Sequence, residues 1–484
     1  MPATTCIRNA ACIVAWDPAN RRHAYLMGGD VAFTGDTLSF VGTHYDGAAG
    51  TTIDGTDLMV MPGLIDLHSH PSTEPFYRGV REEHGVPAMY MSGLYERSVA
   101  LQPDAVARKA GKQVAFCEML LTGVTSVADL SGIDEGWIEI AARSGLRVFL
   151  APSYASARWQ LENGWALKYR WDEAAGRRGL DAALALVEQA VAHPSGRLSG
   201  IVSPAQIDTC TTDLLRDSYA AAEARDIPLT VHCAQSVNEF LVMVDRHGKS
   251  PIQFAHDLGI LSPHTVLGHA MFIDEHSWVR WHTRTDLGIL VETGTNVAHC
   301  PSPFARYGHT LEDFGRYRRA RVNLGIGTDV APHNVIEEMR LGAILARVAA
   351  RDITTTGIGA LFHAATVGGA EALGRPDLGR LTAGAKADLV LADLANPWMR
   401  PARDPLRSLV FTAADRAVHT VFVHGTKVME KGRVLTMDHE AALAAVAEGQ
   451  QRMLGDAPSR DWAGRTAEEI SPLSLPVLGD GRNQ

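Results

Sequence analysis

At 484 residues the chain exceeds one ordinary compact core, so a barrel-sized domain of about 250 residues or more with a smaller companion is expected. Hydrophobic residues at 46% against 21% charged indicate a soluble globular protein, and a net charge of −10 without a Lys/Arg-rich run argues against a nucleic-acid surface. No apolar run reaches the roughly 18 residues of a membrane span, the opening MPATTCIRNA lacks the basic and apolar regions of a signal peptide, and a cytoplasmic protein with no membrane partner is expected.

Residues 4–60 read as short strands broken by turn signals such as Gly28-Gly29-Asp30 and Gly35-Asp36, half of a small β domain. Strands and helices then alternate. Strand-like runs fall at 58–67, 124–130, 146–154, 198–203, 228–231, 265–268, 296–299 and 322–328. Between them, 181–192, 213–224 and 337–349 carry helical periodicity. Eight strands with crossover helices close most simply into an α/β fold of the (β/α)8 TIM-barrel type. The β pattern returns after the turn Gly384-Ala385-Lys386-Ala387-Asp388, with runs at 389–392 and 419–423 before His424-Gly425-Thr426. The expected division is therefore 1–60 and 380–436 as two halves of a β-sandwich, 61–379 as the inserted barrel, and 437–484 as a helix (440–454) and tail. The six cysteines include no C-x-x-C pair, which makes buried fillers a better expectation than a disulfide scaffold or cysteine zinc site.

Four of the eight runs end in a residue that can bind a metal: the first at His68-Ser69-His70, the fifth at His232, the sixth at His269 and the eighth at Asp329. Residues two apart on a strand share a face, so His68 and His70 point the same way. A lone His-x-His is accidental more often than not. Several ligand-type residues at the carboxyl ends of barrel strands are different, because that face is where such barrels assemble their sites. Imidazole and carboxylate donors suit zinc or a similar divalent ion at about 2.0–2.2 Å.

As an ordered set these motifs resemble the amidohydrolase superfamily. The residues that carry the likeness are His68-Ser69-His70 after Met61-Pro62-Gly63-Leu64-Ile65-Asp66, then His232, His269, Gly327-Thr328-Asp329 and Gly384-Ala385-Lys386-Ala387-Asp388-Leu389. Within it, Val297-Ala298-His299-Cys300-Pro301-Ser302-Pro303 and Cys210-Thr211-Thr212-Asp213-Leu214-Leu215 are similar to the group of cytosine and guanine deaminases and chlorotriazine hydrolases. The resemblance implies one divalent metal ion on His68, His70, His232 and Asp329, with zinc favoured over iron, manganese or cobalt. It implies Asp329 as both ligand and base, and His269 as hydrogen-bond partner of the attacking water or the developing oxyanion. No lysine stands in Ile201-Val202-Ser203-Pro204-Ala205-Gln206 to bridge two metals.

One departure bears on the chemistry. Deaminases of this group carry a glutamate three residues after the fifth-strand histidine, where this chain has Gln235. A carboxamide can hold a substrate amide or ring nitrogen, but it cannot donate and recover a proton as a carboxylic acid does. Either another acid, Glu74 or Asp208, has taken over the proton, or the leaving group needs less protonation. Substrate-binding candidates in the loop after the first strand are Glu74, Phe76, Tyr77, Arg78, Met89, Tyr90, Met91 and Tyr95. Trp159, Trp165 and Tyr169 follow the third strand, His299 ends the seventh and His333 follows the eighth.

The sequence thus indicates a metal-dependent hydrolase that cleaves a non-peptide C–N bond in a small cyclic or aromatic molecule, as an aminohydrolase or an amide, urea or carbamate hydrolase. Asp329, His269 and Gln235 are the catalytic candidates. Hydrolytic displacement of halide or thiolate from a heteroaromatic ring is the alternative. A non-catalytic barrel that binds without reacting would be expected to lose metal ligands, and none of the four is lost. The expected partners are a small-molecule substrate and further copies of the chain in a homo-oligomer.

Overall fold

The computed structural model describes residues 3–82 and 91–478. Five strands open the chain: β1 (Thr4–Asp17), β2 (Arg22–Thr34), β3 (Thr37–Gly42), β4 (Thr51–Asp54) and β5 (Leu58–Pro62). Next come β6 (Leu64–Ser69), β7 (Val124–Asp129), β8 (Arg147–Leu150) and β9 (Ser153–Tyr154), then β10 (Ala157–Leu161) and β11 (Leu167–Trp171). The middle continues with β12 (Leu198–Gly200), β13 (Ser203–Pro204), β14 (Leu229–Cys233), β15 (Thr265–His269), β16 (Asn296–His299) and β17 (Leu324–Ile326). Four strands close the chain: β18 (Leu389–Asp393), β19 (Val418–Val423), β20 (Thr426–Glu430) and β21 (Arg433–Val434).

The parallel strands of the middle region form two four-stranded sheets, β12-β8-β7-β6 and β14-β15-β16-β17, with β9 and β13 as a parallel pair beyond β8 and β12. Parallel bridges join the sheets, Val202 to Leu229 and Gln206 to His232 on one side, Ser69 to Asp329 on the other. Helices lie between most of the strands, as parallel pairing requires. Several start on side chains that accept an exposed backbone N–H: Asp172 before Glu173–Val191, Thr211 before Thr212–Glu223 and Asn334 before Val335–Ala350. A buried cluster of Ile65, Leu67, Ala128, Phe149, Val266 and Ala298 ties the strands together against Ala370 and Leu373. Burying Ile65, Leu67, Phe149 and Val266 contributes roughly 1.5–3 kcal/mol each.

The chain ends meet in one nine-stranded sheet, in which β5 lies between β1 and β18. The run expected at 58–67 is therefore two strands. They part at Gly63, whose N–H donates to Asp388 O at 3.0 Å and where a Cβ would sit 2.0 Å from Thr125 Oγ1. The hairpin β10–β11 is an addition to the expected alternation; Asn163 accepts the N–H groups of Trp165 and Ala166 at its tip. Helix His439–Arg460 packs its Gly449 against Ala107 and Phe76, and Gln450 Nε2 donates to Phe76 O at 2.7 Å, which holds the loop after β6 in place. All six cysteines are buried and free. Among the described residues no helix is long and apolar enough to cross a membrane.

Candidate metal centre and cavity

Strand geometry delivers the ligand-type residues to one place. His68 lies near the end of β6 and His70 just past it, His232 is in β14, His269 ends β15, and Asp329 follows β17. Asp329 N donates to His68 O at 2.8 Å, which fixes the last of these beside the first. Asp66 reinforces that contact by accepting Thr328 N at 2.9 Å and Thr328 Oγ1 at 2.6 Å. Two glycines are required by close approach: a Cβ at Gly268 would meet the His68 ring at 2.6 Å, and one at Gly327 would meet His68 Cβ at 2.7 Å. Ala234, Ala270 and Asp329 take positive φ of 54°, 48° and 60° just beyond their strands, a strained conformation for non-glycine residues that concentrates at functional sites.

The donor atoms of His68, His70, His232 and Asp329 all lie within 4.8 Å of one another. His68 Nε2 is 3.1 Å and His70 Nε2 3.3 Å from His232 Nε2, and His70 Nε2 is 3.2 Å from Asp329 Oδ1. Outer hydrogen bonds orient two of the rings: His70 Nδ1 to Leu130 O at 2.9 Å and His232 Nδ1 to Ala205 O at 2.6 Å. A carbonyl only accepts, so Nδ1 carries the proton and Nε2 turns inward. Donors about 2.0–2.1 Å from one ion at tetrahedral angles stand about 3.3 Å apart, so these side chains fit a single divalent cation.

The electrostatics show how closely these groups are coupled to one another. Burial pulls His70 down, but the hydrogen bond and charge of Asp329 outweigh it and lift the ring to about 9. Burial would raise Asp329, yet the His70 hydrogen bond and the neighbouring imidazoles hold it far below the usual carboxylate range. His232 is pushed down to about 3 by burial and the His70 charge. His269 is 2% exposed, neither ring nitrogen has a hydrogen-bond partner, and Nε2 is 3.8 Å from Asp329 Oδ2. A buried imidazole with unspent hydrogen bonds beside a ligand cluster is suited to a small polar guest.

A cavity of about 280 Å³ opens onto the cluster, and Glu74, Tyr77, Arg97, Trp159, Gln206 and Gln235 are among its walls. Glu74 is buried and 3.4 Å from Arg97 Nη2; burial raises its pKa while the Arg97 charge opposes the rise. Tyr77 donates its hydroxyl to Leu101 O at 2.9 Å and lies under the Arg97 guanidinium. Gln235 is 8% exposed, and its Oε1 accepts from Gln206 Nε2 across a long 3.5 Å. Glu239 does not reach the cavity: its carboxylate accepts Ala234 N at 2.6 Å and Gln235 N at 3.0 Å and so builds the turn that presents Gln235. Asp208 is likewise spent, accepting from Tyr169 Oη at 2.6 Å and Trp159 Nε1 at 3.4 Å, which ties the hairpin β10–β11 to the rim.

Other expected substrate contacts fall elsewhere. Arg78 pairs with Glu118 outside the cavity, and His333 is fully buried with Nδ1 3.2 Å from the same Glu118. His299 lies in a small adjoining cleft with His269 and Phe304. Phe76 packs beneath helix His439–Arg460, Tyr95 is buried edge-on against Trp159, and Trp165 is 69% exposed. Met89 and Tyr90 lie outside the described residues. Sequence reasoning missed Gln206, Arg97 and Tyr307. Only Gln206 carried a signal, since it stands two residues past β13, where barrel sites are built.

The Amidohydrolase family model matches residues 59–428, most of the chain. The protein belongs to the amidohydrolase family. As a member it is a hydrolase acting on carbon–nitrogen bonds other than peptide bonds, with a His/Asp group able to bind metal. It is 28% identical over 435 residues to the 5-methylthioadenosine/S-adenosylhomocysteine deaminase of Natronomonas pharaonis, covering 87% of this chain and 93% of that one. Two solved structures share the fold at 23% identity and TM-score 0.79. The zinc-bound adenosine deaminase of Xanthomonas campestris matches 93% of this chain and 99% of its own. The zinc-bound atrazine chlorohydrolase of Arthrobacter aurescens TC1 matches 92% and 100%.

Proposed function

We propose that this amidohydrolase is a mononuclear zinc enzyme that hydrolyses a C–N bond of a small cyclic or aromatic substrate, the aminated heterocycles of its deaminase relatives being the first class to test. The observation that carries the reading is the four-donor cluster with His269 unpartnered beside it. His68, His70, His232 and Asp329 would hold the ion. When bound, a divalent ion supplies Lewis acidity, acidifying water toward about pH 7 and polarising the substrate. Asp329 Oδ2 accepts the proton of the attacking water, and His269 donates to the oxygen that gains charge. Tyr77 and Trp159 bound the ring of the substrate, and Glu74 is the carboxylic acid available in the cavity wall for a leaving amine. Arg78, His299 and His333 act at most through their neighbours.

The same reading takes the two parallel sheets as a closed (β/α)8 barrel over 61–379, capped by a β-sandwich from 1–60 and 380–436, with 437–484 as the C-terminal helix and tail. Displacement of a halide or thiolate is the second reading, favoured by Gln235, which cannot protonate a leaving amine as a carboxylic acid would. The deciding measurement is metal content by elemental analysis, followed by release of ammonia, amine or halide from a panel of aminoheterocycles, ureas, amides and chlorotriazines. One ion per chain with chelator-sensitive C–N cleavage is expected. Full activity in metal-free protein, or two ions per chain, would sink the mononuclear model.

A further inference from the structure

We infer that Gln206 and Gln235 act together as an uncharged clamp that selects a neutral amide edge, a lactam or cyclic ureide, over a cationic amidine; the inference rests on the hydrolytic site proposed above. The two carboxamides line the same cavity, next to His70 and His232. Their mutual contact is long at 3.5 Å, and among the described residues Gln235 Nε2 donates to nothing while Gln206 Oε1 accepts from nothing. Gln235 is more than nine-tenths buried. A buried amide with unspent capacity loses stability unless a partner arrives.

Turning both amides together exchanges donor and acceptor and keeps the shared bond. Two facing carboxamides that share one hydrogen bond always leave one donor and one acceptor side by side. That pair complements a cis amide, whose carbonyl takes the N–H and whose N–H meets the free oxygen. A protonated amidine offers two donors and a charge, and the two carboxamides return one acceptor and no charge of their own. The Glu239 carboxylate is occupied by the N–H groups of Ala234 and Gln235. The same two bonds fix the backbone of Gln235 in the turn after β14.

Binding of two small probes to the zinc-loaded protein tests the clamp by calorimetry: 2-pyridone, a neutral lactam, and benzamidine, a cation. The unaltered chain should favour 2-pyridone. Gln206→Met and Gln235→Met keep the volume and remove the hydrogen bonds, and each should weaken 2-pyridone about tenfold with metal content and thermal midpoint unchanged. Gln235→Glu should reverse the preference toward benzamidine. Equal affinity for both probes, no binding of either, or Met variants that hold 2-pyridone normally would each overturn the clamp. Repeating the titration on zinc-free protein separates it from the hydrolase reading. Lactam preference in a chain that takes up no metal would leave the clamp standing and remove the hydrolase, whereas intact hydrolysis indifferent to both glutamines would do the reverse.

Discussion

At the amino-terminal end of the parallel strands, Arg147 is 1% exposed and sends Nε and Nη2 to Asp388 at 2.5 and 3.2 Å, while His424 N donates to the same carboxylate at 2.7 Å. At the carboxyl end, His68, His232, His269 and Asp329 are also buried and His70 partly so, yet His269 has neither ring nitrogen hydrogen-bonded and His68 Nδ1 has no hydrogen-bond partner. Neither Arg147 nor Asp388 has a buried polar atom left over. Burial of charge is therefore not what distinguishes the two ends. One spends its hydrogen-bonding capacity on the fold, and the other keeps some in reserve for a guest, which costs stability where it stands.

Substitutions can break the contrast from either side. Asp329→Asn should give the largest effect, a fall in kcat of about 10³-fold or more, because it removes a ligand charge and the base together. Near-normal turnover would mean that the eighth strand has been misassigned. At the other end, Arg147→Met should cost about 3–5 kcal/mol of stability by stranding Asp388, with KM unchanged in the protein that remains folded. The double variant Arg147→Met/Asp388→Leu should recover most of that loss in denaturant unfolding. A single variant as stable as the parent would show that the pair does not hold the ends of the chain to the parallel strands.

Smaller effects sharpen the comparison. Glu239→Gln leaves one oxygen for the two N–H groups of Ala234 and Gln235, so about 1–3 kcal/mol should be lost. KM should rise several-fold through the displaced Gln235, and unchanged KM would separate that turn from substrate binding. The least effect is expected at Asp36, where the hydrogen bond from Lys386 holds the carboxyl down to about 2. A folded pKa below the unfolded value of about 3.9 means stability fully present above that pH and lost as pH falls toward 2. Asp36→Asn should flatten the acid limb of the unfolding midpoint, and an identical limb in the variant would remove the pair from the account.

Much of the centre was legible because its chemistry and its strand ends coincide. His68-Ser69-His70, His232, His269 and Asp329 each close an apolar run, and the structure gathers them. What escaped notice depends on contacts between segments distant in sequence. The run at 58–67 is apolar except for Asp66, and its pattern does not say which sheet takes either side of Gly63, where β5 joins one sheet and β6 another. Arg97 lies in a helix whose apolar residues follow no clear stripe, and it reaches the cavity only because the loop after β6 folds back under helix His439–Arg460. Arg78 and His333 read as mouth residues from their spacing, but Glu118 on helix Ala105–Leu121 claims both.

The position of β5 has a consequence for synthesis. Its neighbours are β1, made earlier in the chain, and β18, which pairs Leu391 with Val60 and Val390 with Met61. During translation one apolar edge of Leu58–Pro62 stays open until Leu389–Asp393 leaves the ribosome, after every parallel strand has been made. Such an edge is a template for pairing with another chain. A message truncated before Leu389 should therefore yield aggregates rather than a soluble barrel.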